Sequence, residues 1–139
     1  MMWVLYAFLA AFFAALVAIL AKIGITGIDS NLATAVRTVV ILVLTWAIVF
    51  ATVPLVTLKT LTAKNWTFLI LSGLATGFSW LFYFKALQLG EVSRVAPIDK
   101  LSVVLTILLA FFILREPVSW QVLCGGGLIV AGLLLILWY

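Results

Sequence analysis

The sequence predicts an all-α integral membrane protein of five transmembrane helices, and two observations carry that prediction. Of its 139 residues, 68% are hydrophobic and only 9% charged, whereas a water-soluble domain holds roughly half apolar and about a quarter charged residues. The few charges leave uncharged stretches at 1–21, 38–58, 65–84, 101–114 and 117–139. Four of these are at least about 20 residues long, enough to cross a hydrocarbon core of roughly 30 Å. In lipid every backbone N–H and C=O must be satisfied within the segment, which makes helix the form of each span.

The first helix is expected near 3–22, from Trp3 in the aromatic belt to Lys22. No basic residue precedes this apolar run, which argues against a signal peptide. The second is expected near 31–54, with Asp29, Ser30 and Asn31 available as N-caps. The third runs near 66–88, between Trp66 and a closing Gly90. The fourth cannot be 101–114 alone, because those residues reach only roughly 21 Å as a helix. It must start near 93 and carry Pro97, Asp99 and Lys100 into the span. The fifth is expected near 118–138, with Pro117 in its first turn, Trp120 at one end and Trp138-Tyr139 at the other. Trp46 and Trp80 fall in mid-helix. Residues 1–139 read as one domain, with no linker, low-complexity tract or internal repeat.

Composition also removes whole classes of function. There is no histidine, and a single cysteine excludes an internal disulfide; Cys124 reads as a small apolar filler. The net charge of +4 is dispersed, so no nucleic-acid face is expected. No phosphate-binding loop, metal cluster or activated nucleophile can be assembled from the motifs present. The chain is therefore expected to be no enzyme, with no catalytic residue, cofactor or metal.

An odd number of spans puts the termini on opposite sides. One side collects Lys22, Arg37, Lys85, Arg94 and Lys100, the other Lys59, Lys64 and Arg115. Counting only those nearest the loops, the positive-inside bias is close to nil. Two readings fit: one orientation fixed by other factors, or insertion in both orientations, which permits an antiparallel homodimer.

Candidate substrate or coupling residues are the polar groups inside the spans. Asp99 lies roughly 9–10 Å along the fourth helix, and intramembrane ionisable groups are functional candidates by default. The competing reading puts Pro97 in the first turn of a shorter helix, with Asp99 near its positive end and Lys100 snorkelling. Arg37 is about a turn and a half inside the second helix and calls for water or a carboxylate, Asp99 being the obvious candidate. Lys22 ends the first helix close to an alanine face. Lys85 lies across its helix from the hydroxyl stripe and reads as a snorkelling side chain. Glu116, at the start of the fifth helix, suits its dipole, and Asp29 and Glu91 are loop residues.

On the third helix Ser72, Thr76, Ser79 and Tyr83 share one face, with Trp80 beside it. Ser102 and Thr106 repeat that spacing from Asp99, and Thr34, Thr38, Thr45 and Thr52 line the second helix. Hydroxyls of this kind can bond their own i−4 carbonyls or a neighbouring helix; three stripes together favour a shared polar cleft. Small residues mark helix packing or a dimer face: Gly73 and Gly77 on the third helix, and Gly125, Gly126, Gly127, Ala131 and Gly132 on the fifth. The fifth helix has no polar stripe and reads as a strut, not a substrate wall.

Several segments resemble one known family in order along the chain. Ala21-Lys22-Ile23-Gly24 leading to Ala33-Thr34-Ala35-Val36-Arg37, Tyr83-Phe84-Lys85-Ala86-Leu87, Val95-Ala96-Pro97-Ile98-Asp99-Lys100 and Arg115-Glu116-Pro117-Val118-Ser119-Trp120-Gln121 are similar to EamA-domain proteins of the drug/metabolite transporter superfamily. Most members carry two five-helix domains as inverted repeats, and this chain resembles the short, single-domain members. The resemblance implies one EamA-like repeat that pairs to rebuild a ten-helix form, with the first four helices lining the cavity and the fifth outside. Related four-span multidrug exporters use a glutamate in the first helix; none stands there in this sequence, so that proton coupling does not carry over.

The function expected is a multi-pass inner-membrane transporter, exporting small metabolites or drug-like molecules by alternating access. Its expected partners are a small-molecule substrate, the lipid bilayer and a second copy or homologous half. The rival is a non-transporting membrane subunit that scaffolds another membrane protein.

Overall fold

Capping chemistry and proline set where each helix begins and ends. A computed structural model describes residues 2–138; Tyr139, expected in the C-terminal aromatic belt, lies outside them. α1 spans Met2–Gly24 and α2 Ser30–Thr52. Between them Gly27 takes φ +80°, a left-handed conformation that glycine adopts without steric cost. The Asp29 carboxylate accepts hydrogen bonds from the N–H groups of Asn31 and Leu32 at 2.8 and 3.2 Å, satisfying donors that have no intrahelical partner. α2 stops two residues short of the expected end because the residue before a proline is driven into extended backbone. Val53, ahead of Pro54, has φ −127° and ψ 126°.

A 3-10 turn over Leu55–Thr60 leads to α3, Ala63–Leu89. This helix starts earlier than the expected residue 66 because Thr62 and Asn65 cap each other. Thr62 N–H donates to Asn65 Oδ1 at 3.1 Å and Asn65 N–H to Thr62 Oγ1 at 3.2 Å, a capping box with Asn in place of Glu.

The fourth span, Val92–Leu114, differs from the expected continuous helix. It consists of α4 (Val92–Asp99), α5 (Leu101–Leu109) and a π-turn over Ala110–Leu114. Pro97 has no N–H for the Ser93 carbonyl and crowds it. Three residues on, the Lys100 N–H bonds back to Pro97 O at 2.9 Å and the backbone tightens to ψ −7°. Pro97 thus stands inside α4 and not in the first turn of a shorter helix. The span closes at Arg115 in the left-handed region, φ 55°. α6, Trp120–Trp138, begins after the expected 118. Ser119 is its cap, its hydroxyl and carbonyl accepting from the Val122 N–H at 3.4 and 3.1 Å. Pro117 therefore precedes the cap instead of occupying the first helical turn.

Five spans are long and apolar enough to cross a membrane, and no strand occurs among the described residues. The helices divide into two compact units, α1–α3 and α4–α6. In the first, α3 packs against both α1 and α2. Its core holds Ala18, Ile25, Thr34, Phe84 and Leu87, the last two 1% and 0% exposed. In the second, α6 packs against α4 and α5, and Gly126 faces Ile107: a Cβ there would lie 3.6 Å from its Cδ1, an ordinary van der Waals contact. Most other apolar side chains, Phe8, Leu69, Phe82 and Leu135 among them, point outward, a cost in water but not against acyl chains.

Candidate substrate site

Arg37 lies eight residues into α2, roughly 10 Å from its first residue. The packing of α2 on α3 sets its guanidinium over two rings one helical turn apart. Its carbon is 5.0 Å from the Trp80 centroid and 4.9 Å from that of Phe84. Both distances are within cation–π range, worth about 0.5–2 kcal/mol each. The α1–α3 unit contains one carboxylate, Asp29, and that group caps α2. The rings, not an acid of its own unit, are what hold Arg37.

Beside this cation–π contact runs a groove of about 470 Å³, bounded by the last turns of α1, the first turns of α2 and Phe84. Val17, Leu20, Leu32 and Val36 wall it, and Arg37 is its one charged lining residue. Lys22 sits close by but is engaged: its Nζ donates to Leu87 O at 2.6 Å. That carbonyl is among the last four of α3, which have no intrahelical donor, and a cation there also favours the helix dipole. Lys22→Met is expected to lower stability by about 2 kcal/mol, read as a fall in the unfolding midpoint in detergent. An unchanged midpoint would show that the bond contributes nothing net.

The other candidates divide clearly. Thr34, Thr38, Thr45, Thr52 and Thr76 donate to carbonyls of their own helices at 2.7–2.9 Å, so their hydroxyls are satisfied without a cleft. Ser72, Thr76 and Ser79 are exposed, while Tyr83 is half-buried with its ring edge against Phe84. In the second unit, Asp99 is the last residue of α4 and pairs with Lys100 at 3.4 Å; Ser102 and Thr106 are exposed on α5. Of the sequence candidates in the first unit, the structure thus joins Arg37 to Trp80.

Two contributors were missed. Phe84 was readable as the i+4 partner of a mid-helix tryptophan, a two-ring platform on one face. Gln88 donates to Ile28 O at 2.8 Å and accepts from Lys85 at 3.2 Å; this tie to the α1–α2 turn carries no local sequence signal.

The family model described as the EamA-like transporter family matches residues 1–138. A Sinorhizobium protein named "Uncharacterized transporter in cobO 3'region" is 47% identical over 134 residues, covering 96% of this chain and 95% of the relative. An Erwinia tasmaniensis protein named "Probable 4-amino-4-deoxy-L-arabinose-phosphoundecaprenol flippase subunit ArnF" is 43% identical over 72 residues, covering 50% of this chain and 57% of the relative. No solved structure matches. Five apolar spans and a match along nearly their whole length make this multi-pass membrane transporter a member of the EamA-like transporter family.

Proposed function

We propose that the protein is a secondary-active exporter of small metabolites or drug-like molecules, working in the inner cell membrane by alternating access as an antiparallel homodimer. The observation that carries this reading is Arg37, a cation kept inside a membrane span on an aromatic platform beside a groove. Charge at such depth is costly and usually serves a solute pathway. Arg37 and Asp99 are the groups proposed for charge recognition or coupling. Ser79, Trp80 and Tyr83 are proposed for substrate contacts, and Ser72, Thr76, Ser102 and Thr106 as polar walls. Lys22 and Lys100 are proposed as further basic candidates.

Pairing is supported by space. Cβ atoms built on Gly73, Gly77, Gly125, Gly127 and Gly132 meet nothing within 4 Å among the described residues, and Ala131 is exposed. Such faces admit another helix at close range. One five-helix chain encloses half a path of the inverted-repeat kind, and the word "subunit" in the name of the Erwinia relative agrees with work done in pairs.

Counterflow by purified protein in liposomes tests the reading. Wild-type protein is expected to exchange a labelled solute, and Asp99→Asn to abolish exchange while remaining folded in the membrane. Wild-type flux in that variant overturns the role of Asp99. No flux by the wild type across anionic, cationic and neutral panels overturns transport in favour of a scaffolding subunit.

A further inference from the structure

We infer that the groove between α1 and α2 binds a small hydrophobic monoanion, an organic acid with a compact apolar body, head first toward Arg37. The inference deepens the transport reading above and rests on it for its physiological use.

The polarity of the groove selects the ligand. Its walls are aliphatic and it carries one cation, so a neutral molecule leaves the guanidinium unmatched and a dianion leaves a charge over. Its volume of about 470 Å³ falls in the range of small-molecule sites. Contact with Trp80 and Phe84 occupies one side of the guanidinium, and a guanidinium presents a fork that matches a carboxylate in bidentate fashion.

Depth selects against bilayer lipids. The groove extends to the α1–α2 turn, where Ile25 and Ile28 line it. Val17 and Arg37 each lie about seven residues from the ends of their helices, roughly 10 Å further in. The cation is therefore at the inner end and apolar surface at the outer end. A phospholipid or fatty acid seated in the leaflet has its head outward and would bring its chain to Arg37. A compact acid entering from the membrane face brings its carboxylate there instead and leaves its apolar body on Leu20, Leu32 and Val36.

Trp80 reports occupancy, since any anion paired with Arg37 lies next to its ring. The probe is 3-(4-iodophenyl)propionate, whose heavy atom quenches tryptophan, titrated into wild-type protein in nanodiscs. Quenching is expected to saturate, and Trp80→Phe to remove most of the saturable part. Arg37→Gln is expected to weaken binding at least about tenfold. Gly24→Leu, at a groove-lining position where a Cβ meets nothing within 4 Å, places bulk at the groove wall and is expected to abolish saturation. Unlabelled 3-phenylpropionate should compete; 3-phenylpropylamine and palmitate should not. Equal competition by the amine, preference for palmitate, or quenching unmoved by both Arg37→Gln and Gly24→Leu overturns the inference. Saturable binding without counterflow leaves the site standing and removes transport; counterflow of other solutes without saturable quenching does the reverse.

Discussion

Arg37→Gln is expected to cut counterflow by about 100-fold while leaving the protein at least as stable as the wild type. The two halves of that expectation have one cause. A cation within a span costs about 2.5–3.5 kcal/mol by insertion scales, and two aromatic faces return an amount of the same order. Structure therefore gains little from the guanidinium, whose unit offers it no carboxylate beyond the Asp29 helix cap. A neutral amide of similar reach keeps the packing and removes the charge. Arg37→Lys should fall between, with flux down about tenfold, because an ammonium preserves charge and ring attraction but not the planar fork. Flux and thermal unfolding measured on the same preparations decide the matter. Wild-type exchange by the glutamine variant removes Arg37 from the transport path; a large loss of stability would make it a packing residue.

The spans were legible because length and charge gaps are strong signals in a lipid solvent, and the cap at Asp29 was legible because its chemistry is local; the stop imposed by Pro54 was overlooked because the apolar run continues through it. The interior of the fourth span was not. Pro97 was recognised, but whether it begins a helix or tightens one depends on whether Val92–Ala96 are helical ahead of it. The face of α3 that meets α2 was not legible either. In water, apolar periodicity would have marked it, whereas in a membrane lipid-facing and packed positions are equally apolar. Polar spacing drew attention to Ser72, Thr76, Ser79 and Tyr83, yet the rings that meet Arg37 lie about a quarter turn away from that stripe. The hydroxyls themselves proved self-sufficient where they bond their own helix, as at Thr34 and Thr76.

Phe84→Ala is expected to be the most disruptive substitution in the first unit, because Phe84 serves both its packing and its site. The side chain is 1% exposed and sits where α3 meets α2. Phenylalanine-to-alanine truncations in well-packed cores cost about 3–5 kcal/mol, the sum of transfer and cavity terms. In a bilayer the transfer term shrinks, since an unpacked Phe still lies among acyl chains, and the cavity and lost contacts remain. A loss of about 3 kcal/mol is therefore expected, read from equilibrium unfolding in lipid or mild detergent. Phe82→Ala supplies the comparison two residues away: Phe82 is 74% exposed and should cost well under 1 kcal/mol. Phe84→Leu restores most of the volume but not the ring, which separates the two roles. It should recover most of the stability while the guanidinium, now held by Trp80 alone, loses one of its two ring contacts and flux stays about tenfold down. Equal stability of Phe84→Ala and Phe82→Ala would mean that α2 and α3 are not held together at this position, and the platform under Arg37 would go with it.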